Sequence, residues 1–390
     1  MLDSLRKCLT PSRNADNFNS YISNMKISLS KEALLASIQR IQNVVSSRAA
    51  TLPILSNILI EATDGGVRMT TTDLEVAIRC DVSEAKIERA GATTIPAKRL
   101  AAIVRELPAT EVSLDTDSKN VTTLKCGSAS YKIHGLPKDD FPPFPSFADT
   151  MAYTLKQGEL ADGLRKTSYA ISTDETRYVL NGILFQFLDN KFTLVATDGR
   201  RLALYESDLE FPKKLERDFI IPTKAVNELQ RALGEQGDIE IAAGDNLAVF
   251  RVPGIELATK LVAGKYPNYK QVIPGEAKER VTIEREPFLT ALRRVSLFCA
   301  STGASIRLTL SENNIELYAS SPEGEAQENF PVKYAGRNLV IAFNPDFIMS
   351  PMTHLTEEEI YLDLIDEMSA GVIKINRPFL YVLMPMRVSA

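Results

Sequence analysis

The chain has 390 residues, of which 44% are hydrophobic, and a formal charge of −5. That length allows two to four ordinary domains with buried cores, and no run approaches the roughly 18 uncharged apolar residues that a membrane helix needs. The four cysteines, Cys8, Cys80, Cys126 and Cys299, stand too far apart for a zinc site or a disulfide framework, which points to a reducing cytoplasm.

Residues 1–24 are polar, rich in Asn and Ser, and show no strand alternation. They read as a disordered extension or the product of an upstream start codon. Asp3 and Asp16 and the missing apolar stretch argue against a targeting peptide. A clean pattern opens at Met25-Lys26. A short alternating strand from Lys26 is followed by Leu34, Leu35, Ile38 and Ile41 at helical spacing. A second helix carries Leu100, Ile103 and Val104, after the strand end Thr94-Ile-Pro-Ala-Lys.

The same order then recurs twice. A strand at Tyr153 precedes Leu160 and Leu164; Ile221-Pro-Thr-Lys precedes Val226, Leu229 and Leu233. A strand at Val281 precedes Phe288, Leu289, Leu292 and Val295; Phe343-Asn-Pro-Asp precedes Phe347 and Ile348. The offset is about 125 residues, close to a domain length. Turn signals at Asp64-Gly65-Gly66, Asp189-Asn190, Asp245-Asn246 and Glu312-Asn313-Asn314 divide the strands. The reading is an α+β chain of three similar domains, 25–147, 148–275 and 276–390, each with two helices on a sheet of about eight strands.

Catalytic chemistry is sparse. There are two histidines, His134 and His354, and no His-x-x-His or Cys-x-x-Cys pair. Gly264-Lys265 lacks the upstream glycine of a phosphate loop. Asp73, Asp198 and Glu357 to Glu359 could hold magnesium, but they also read as turn residues and a solvated charge run. No metal or cofactor is expected. The six inferred helices sum to about +5 within a chain of −5, so a surface lined by them would face phosphates favourably.

Several motifs stand in order: Thr51-Leu-Pro-Ile-Leu-Ser-Asn, Thr71-Thr-Asp-Leu-Glu, Gly91-Ala-Thr-Thr-Ile-Pro-Ala, Tyr178-Val-Leu-Asn-Gly, Val195-Ala-Thr-Asp-Gly-Arg-Arg-Leu-Ala, Lys265-Tyr-Pro-Asn-Tyr and Tyr381-Val-Leu-Met-Pro-Met-Arg. From Met25 to Val388 the chain resembles the bacterial DNA polymerase III β subunit family, the sliding clamps. The resemblance implies three clamp-type domains in a half ring and a head-to-tail homodimer around duplex DNA. It implies processivity without catalysis, and no membrane association. The implied partners are sequence-independent duplex DNA, the polymerase III α subunit, the clamp loader and other clamp-binding peptides.

The resemblance places a partner-peptide pocket on Arg177, Leu180, Thr197, Gly199, Arg201 and Leu202, on Pro267 and Val272, and on Val382, Met384, Pro385, Met386 and Arg387. Met384 and Met386 could otherwise be core filling. Candidate phosphate contacts are Arg48, Lys98, Arg105 and Lys224. The subunit contact would join Tyr131 and Ile133 to Leu297 and Phe298, with Glu323, Glu325 and Glu328 nearby. The chain departs from the family pattern in three places. Arg200 replaces a common histidine, Val388-Ser-Ala extends the end, and Ser128 and Ser130 stand where arginines are usual. A competing reading is a tandem-domain magnesium nuclease, which needs carboxylates clustered in a cleft. A third is a peptide-binding scaffold without DNA, which the cationic helices oppose.

Overall fold

The computed structural model describes residues 24–45, 52–145, 152–299 and 303–387. The extension at 1–23, Arg48 and the terminal Val388-Ser-Ala lie outside the described residues. Chain packing divides a first unit, 1–144, from a second, 145–390.

In the first unit β1 (Lys26–Ser30) leads into α1 (Lys31–Ile41). Then come β2 (Asn57–Thr63), β3 (Gly66–Thr72), β4 (Val76–Val82), β5 (Lys86–Arg89) and β6 (Gly91–Pro96). After α2 (Ala97–Glu106) follow β7 (Glu111–Thr116), β8 (Val121–Cys126) and β9 (Ala129–His134). The second unit holds two more copies of this order. The first copy runs through β10 (Ala152–Lys156), α3 (Gln157–Thr167), β11 (Gly182–Leu188), β12 (Lys191–Thr197), β13 (Arg201–Asp208) and β14 (Arg217–Pro222). It ends with α4 (Thr223–Ala232), β15 (Asp238–Ala243), β16 (Leu247–Val252) and β17 (Ile255–Lys260). The other copy runs through β18 (Glu279–Glu284), α5 (Arg285–Ser296), β19 (Ile306–Ser311), β20 (Asn314–Ser321), β21 (Gly324–Pro331) and β22 (Leu339–Phe343). It ends with α6 (Pro345–His354), β23 (Glu359–Leu364), β24 (Gly371–Lys374) and β25 (Phe379–Leu383).

One pairing rule governs all three repeats. The strand before the first helix pairs with the strand after the second: β1 with β7, β10 with β15, β18 with β23. The strand before the second helix pairs with the first strand after the first: β6 with β2, β14 with β11, β22 with β19. Helices pack in pairs, α1 with α2, α3 with α4 and α5 with α6. Each presents an apolar stripe inward, such as Leu34, Ile38 and Ile41 on α1, or Phe288, Leu289, Leu292 and Val295 on α5. Ser30 caps α1 by accepting the Ala33 amide at 3.1 Å, and Asn344 caps α6 by accepting the Phe347 amide at 3.1 Å. At the β11–β12 hairpin Asp189 and Asn190 take φ of 53° and 57°, the left-handed pair that a two-residue hairpin turn requires.

The second and third repeats form one compact unit because β13 pairs with β25, from Arg201 opposite Leu383 to Tyr205 opposite Phe379. One sheet therefore runs β14-β11-β12-β13-β25-β24-β23-β18 across both. No helix among the described residues is long and apolar enough to cross a membrane.

Candidate functional site

On the sheet face away from the helices the seam between β13 and β25 carries an apolar cluster, and a groove of about 250 Å³ opens on it beside Leu184, Ile220, Gly264 and Tyr266. Its floor is a row of cross-strand neighbours. Ile220 lies opposite Leu184, Leu184 opposite Val195, Val195 opposite Leu204, and Leu204 opposite Leu380. Beside this row Leu202 lies opposite Val382. Leu180, Leu184, Val195, Leu202, Ile220, Tyr266, Tyr269 and Val382 form one buried cluster, with Ile273 and Ala370 packed against it. Burial pushes the Tyr266 phenol well above its ordinary pKa, so it stays neutral.

Of the residues expected in a pocket, Leu180, Leu202 and Val382 are in this floor. Thr197 ends β12, donates its hydroxyl to the Arg201 carbonyl at 2.6 Å and accepts the Gly199 amide at 3.0 Å. Gly199 has φ +86°, a left-handed backbone that glycine adopts without strain. Pro267 and Val272 are exposed on the segment that contributes Tyr266, Tyr269 and Ile273. Met384 is 48% exposed and Met386 half-buried, so neither is core filling. The Met384 amide donates to the Arg200 carbonyl at 3.1 Å and the Met386 amide to the Ala342 carbonyl at 2.7 Å. The tail is thus stitched to the second repeat and to the third. Pro385 lies between these two bonds, and Arg387 beyond them is exposed.

Beside the groove is a polar cavity of about 320 Å³, lined by Asp174, Arg177, Asp198, Arg200, Arg201 and Phe347 among others. Three arginines face it, and they are not equivalent. Arg201 is held: Nε donates to Asp198 Oδ2 at 3.0 Å and Nη1 to Ser350 Oγ at 2.9 Å. Arg177 is more exposed, with Nη1 donating to the Asp198 carbonyl at 3.2 Å and Nε 3.5 Å from Asp174. Hydrogen bonds from Thr176 hold the Asp174 carboxyl below its ordinary pKa. Arg200 is exposed and has no ion pair among the described residues.

The sequence reading missed Leu184, Val195, Ile220, Tyr266, Tyr269 and Ala370. A signal was present: Gly182–Leu188 and Lys191–Thr197 are nearly continuous apolar runs, which mark strands covered on both faces.

The helices carry net charges of +1, +2, 0, +1, +2 and −1 from α1 to α6. Lys98 and Arg105 are exposed on α2, and Lys224 is half-buried on α4. Among the described residues no three His, Cys, Asp or Glu gather as a metal site requires. Asp198 is engaged with Arg201, and Glu357 accepts from Lys166 at 3.3 Å.

Among the described residues, two of the strands that end a sheet are β9 and β21. β9 pairs only with β8, and β21 only with β20. On β9, Tyr131 is 39% exposed but Ile133 is 2% exposed. Ile133 is thus largely covered by its own unit, opposite Thr122. Leu297 is 79% and Phe298 37% exposed; Glu323 is exposed just before β21 and Glu325 is exposed within it.

The sequence matches three family descriptions: DNA polymerase III beta subunit, N-terminal domain over 25–145, central domain over 154–268, and C-terminal domain over 270–387. It is 32% identical over 364 residues to the beta sliding clamp of Chlamydia muridarum, covering 93% of this chain and 99% of that one. The solved sliding clamp of Bacillus subtilis superposes with a TM-score of 0.89 at 27% identity, covering 94% of this chain and all of that one. That of Bartonella birtlesii, bound to griselimycin, superposes with a TM-score of 0.88 at 34% identity over 94% of this chain. The chain belongs to the DNA polymerase III beta subunit family, the beta sliding clamps, and with that membership comes the role of a processivity factor that acts without catalysis.

Proposed function

We propose that two copies close head to tail into a ring around duplex DNA, each supplying three clamp domains at 25–147, 148–275 and 276–390. The observation that carries this is the β13–β25 seam. By the internal repeat, β21 is the counterpart of β13 and β9 the counterpart of β25, and both edges are open among the described residues. Two copies satisfy both edges, and a heterologous contact that closes makes a ring rather than a filament. Lys98, Arg105 and Lys224, with Arg48, supply contacts to phosphates that read no bases. The setting is the cytoplasm.

The seam groove takes extended peptides from the polymerase III α subunit, the clamp loader and other DNA-processing proteins. An apolar floor with a flexible methionine lip suits such segments. Sedimentation at micromolar concentration tests the ring: a dimer mass is expected, and a monomer overturns it. Griselimycin, bound by the Bartonella birtlesii clamp, tests the groove. It should displace a polymerase-derived peptide, and independent binding of the two would move the docking site elsewhere.

A further inference from the structure

The pairing rule that repeats within the chain also fixes a register between chains. Two alignments are needed. First, β11–β12 and β19–β20 are hairpins closed by Leu188 opposite Lys191 and Ser311 opposite Asn314. Counting onward, Thr197 matches Ser320, so its neighbour Leu202 matches Glu325. Second, Ile27 and Val281 stand at the same distance before α1 and α5. Ile27 lies opposite Leu114, Leu114 opposite Leu124, and Leu124 opposite Tyr131. Val281 lies opposite Leu362, Leu362 opposite Ile373, and Ile373 opposite Tyr381. Tyr131 therefore matches Tyr381, and Lys132 matches Val382.

At the internal seam Leu202 lies opposite Val382. We infer that β9 of one protomer adds to β21 of a second copy in the same register, placing Lys132 directly opposite Glu325, Tyr131 opposite Ala326 and Ser130 opposite Gln327. The inference rests on the ring reading and specifies its contact.

The local chemistry agrees with this register. Lys132 is exposed and has no ion pair among the described residues. Glu325 is exposed, and the Tyr318 hydroxyl donates to its Oε2 at 2.9 Å, which orients the carboxylate and leaves Oε1 open. On the other face, Phe298 covers Gly324, where a Cβ would lie 3.3 Å from the ring. Tyr131 arrives beside that ring. A slip of one residue would turn Lys132 to the face of Phe298 and strand its charge. The Lys132–Glu325 pair thus supplies an ionic contact that Ser128 and Ser130 cannot. At this position the internal seam has an apolar pair that floors a groove, and the seam between copies has an ion pair.

The test uses the full chain with Cys8→Ser and Cys299→Ser. Lys132→Cys with Glu325→Cys should form a covalent dimer under mild oxidant, because directly opposed residues lie within disulfide reach, about 4.5–5.5 Å between Cα atoms. Lys132→Cys with Gln327→Cys, offset by about 7–8 Å, should link far less. Separately, Lys132→Glu and Glu325→Lys should each weaken the dimer about tenfold per contact, and the double exchange should restore it. A dimer that links through the offset pair, or one indifferent to the charge exchange, overturns the register and leaves the ring. A chain that sediments as a monomer before any substitution overturns the ring itself.

Discussion

The Arg201 guanidinium lies 4.5 Å over the ring of Phe347. Phe347 belongs to α6 of the third repeat and Arg201 opens β13 of the second, so the contact ties the repeats together behind the groove. Asp198 and Ser350 hold the same guanidinium in plane. Arg201→Ala should therefore cost about 1–3 kcal/mol of stability. Arg201→Lys should recover little of it, because an ammonium cannot make the planar stack and the fork of bonds together. Calorimetric unfolding of both variants checks this; full rescue by lysine would mean that only charge matters.

Arg200 should set the charge preference of the groove. Its amide donates to Asp198 and its carbonyl accepts from Met384, so the backbone that carries the side chain is fixed at both ends. Peptides with a glutamate beside their apolar anchor should bind about three- to tenfold better than their glutamine counterparts at low salt, a rim-charge effect. Arg200→Ala should abolish the difference and Arg200→Glu should reverse it. Calorimetric titration at two salt concentrations measures both, and an unchanged preference in Arg200→Ala would assign the selectivity to Arg177 or Arg387.

Met384→Ala, or truncation after Leu383, should lower peptide affinity by about 1–3 kcal/mol while the dimer mass stays the same. Met386→Ala should act more weakly, because its side chain is half-buried whereas that of Met384 is 48% exposed. Loss of the dimer with affinity retained would make this lip structural.

Replacing Lys98, Arg105 and Lys224 together by alanine should weaken DNA association equally for all sequences and flatten its salt dependence. Clamps already loaded should persist on circular DNA and leave linear DNA from its ends. Equal retention on both would mean that affinity, not topology, holds the duplex.

Asp363 should make the chain sensitive to acid. It is 2% exposed and accepts from Arg280 Nε at 2.7 Å and Lys374 Nζ at 2.9 Å. Burial alone would raise its carboxyl, but the bonds from Arg280 and Lys374 outweigh that and hold it below the ordinary 3.8. A depressed folded pKa adds stability above the unfolded value and loses it as pH falls through the folded one. Asp363→Asn should cost about 1–3 kcal/mol at neutral pH. The gap from the unmodified chain should narrow below about pH 4 in urea titrations.

Much of the fold was legible because a threefold repeat supplies its own alignment. Phe288, Leu289, Leu292 and Val295 are all buried, as their spacing predicts, because a surface helix has one inward stripe. Leu233 falls just outside α4, since helix ends depend on caps that spacing does not record. The groove floor was less legible. Leu184 and Val195 sit in strands buried on both sides, and only the strand register shows which face meets the groove. Arg177, Arg200 and Arg201 looked alike in sequence, whereas Asp174 and Asp198 separate them in space.

The stitching of Met384 to Arg200 and of Met386 to Ala342 has a consequence for synthesis. The groove draws its walls from near residue 180 and from beyond residue 380, so its last wall is translated some two hundred residues after its first. Any chain that stops before Met386, through a nonsense codon or a stalled ribosome, lacks the lip that the proposed function assigns to partner peptides. On that reading the expected product folds its earlier repeats and binds no partner peptide, which a binding titration on the truncated chain checks.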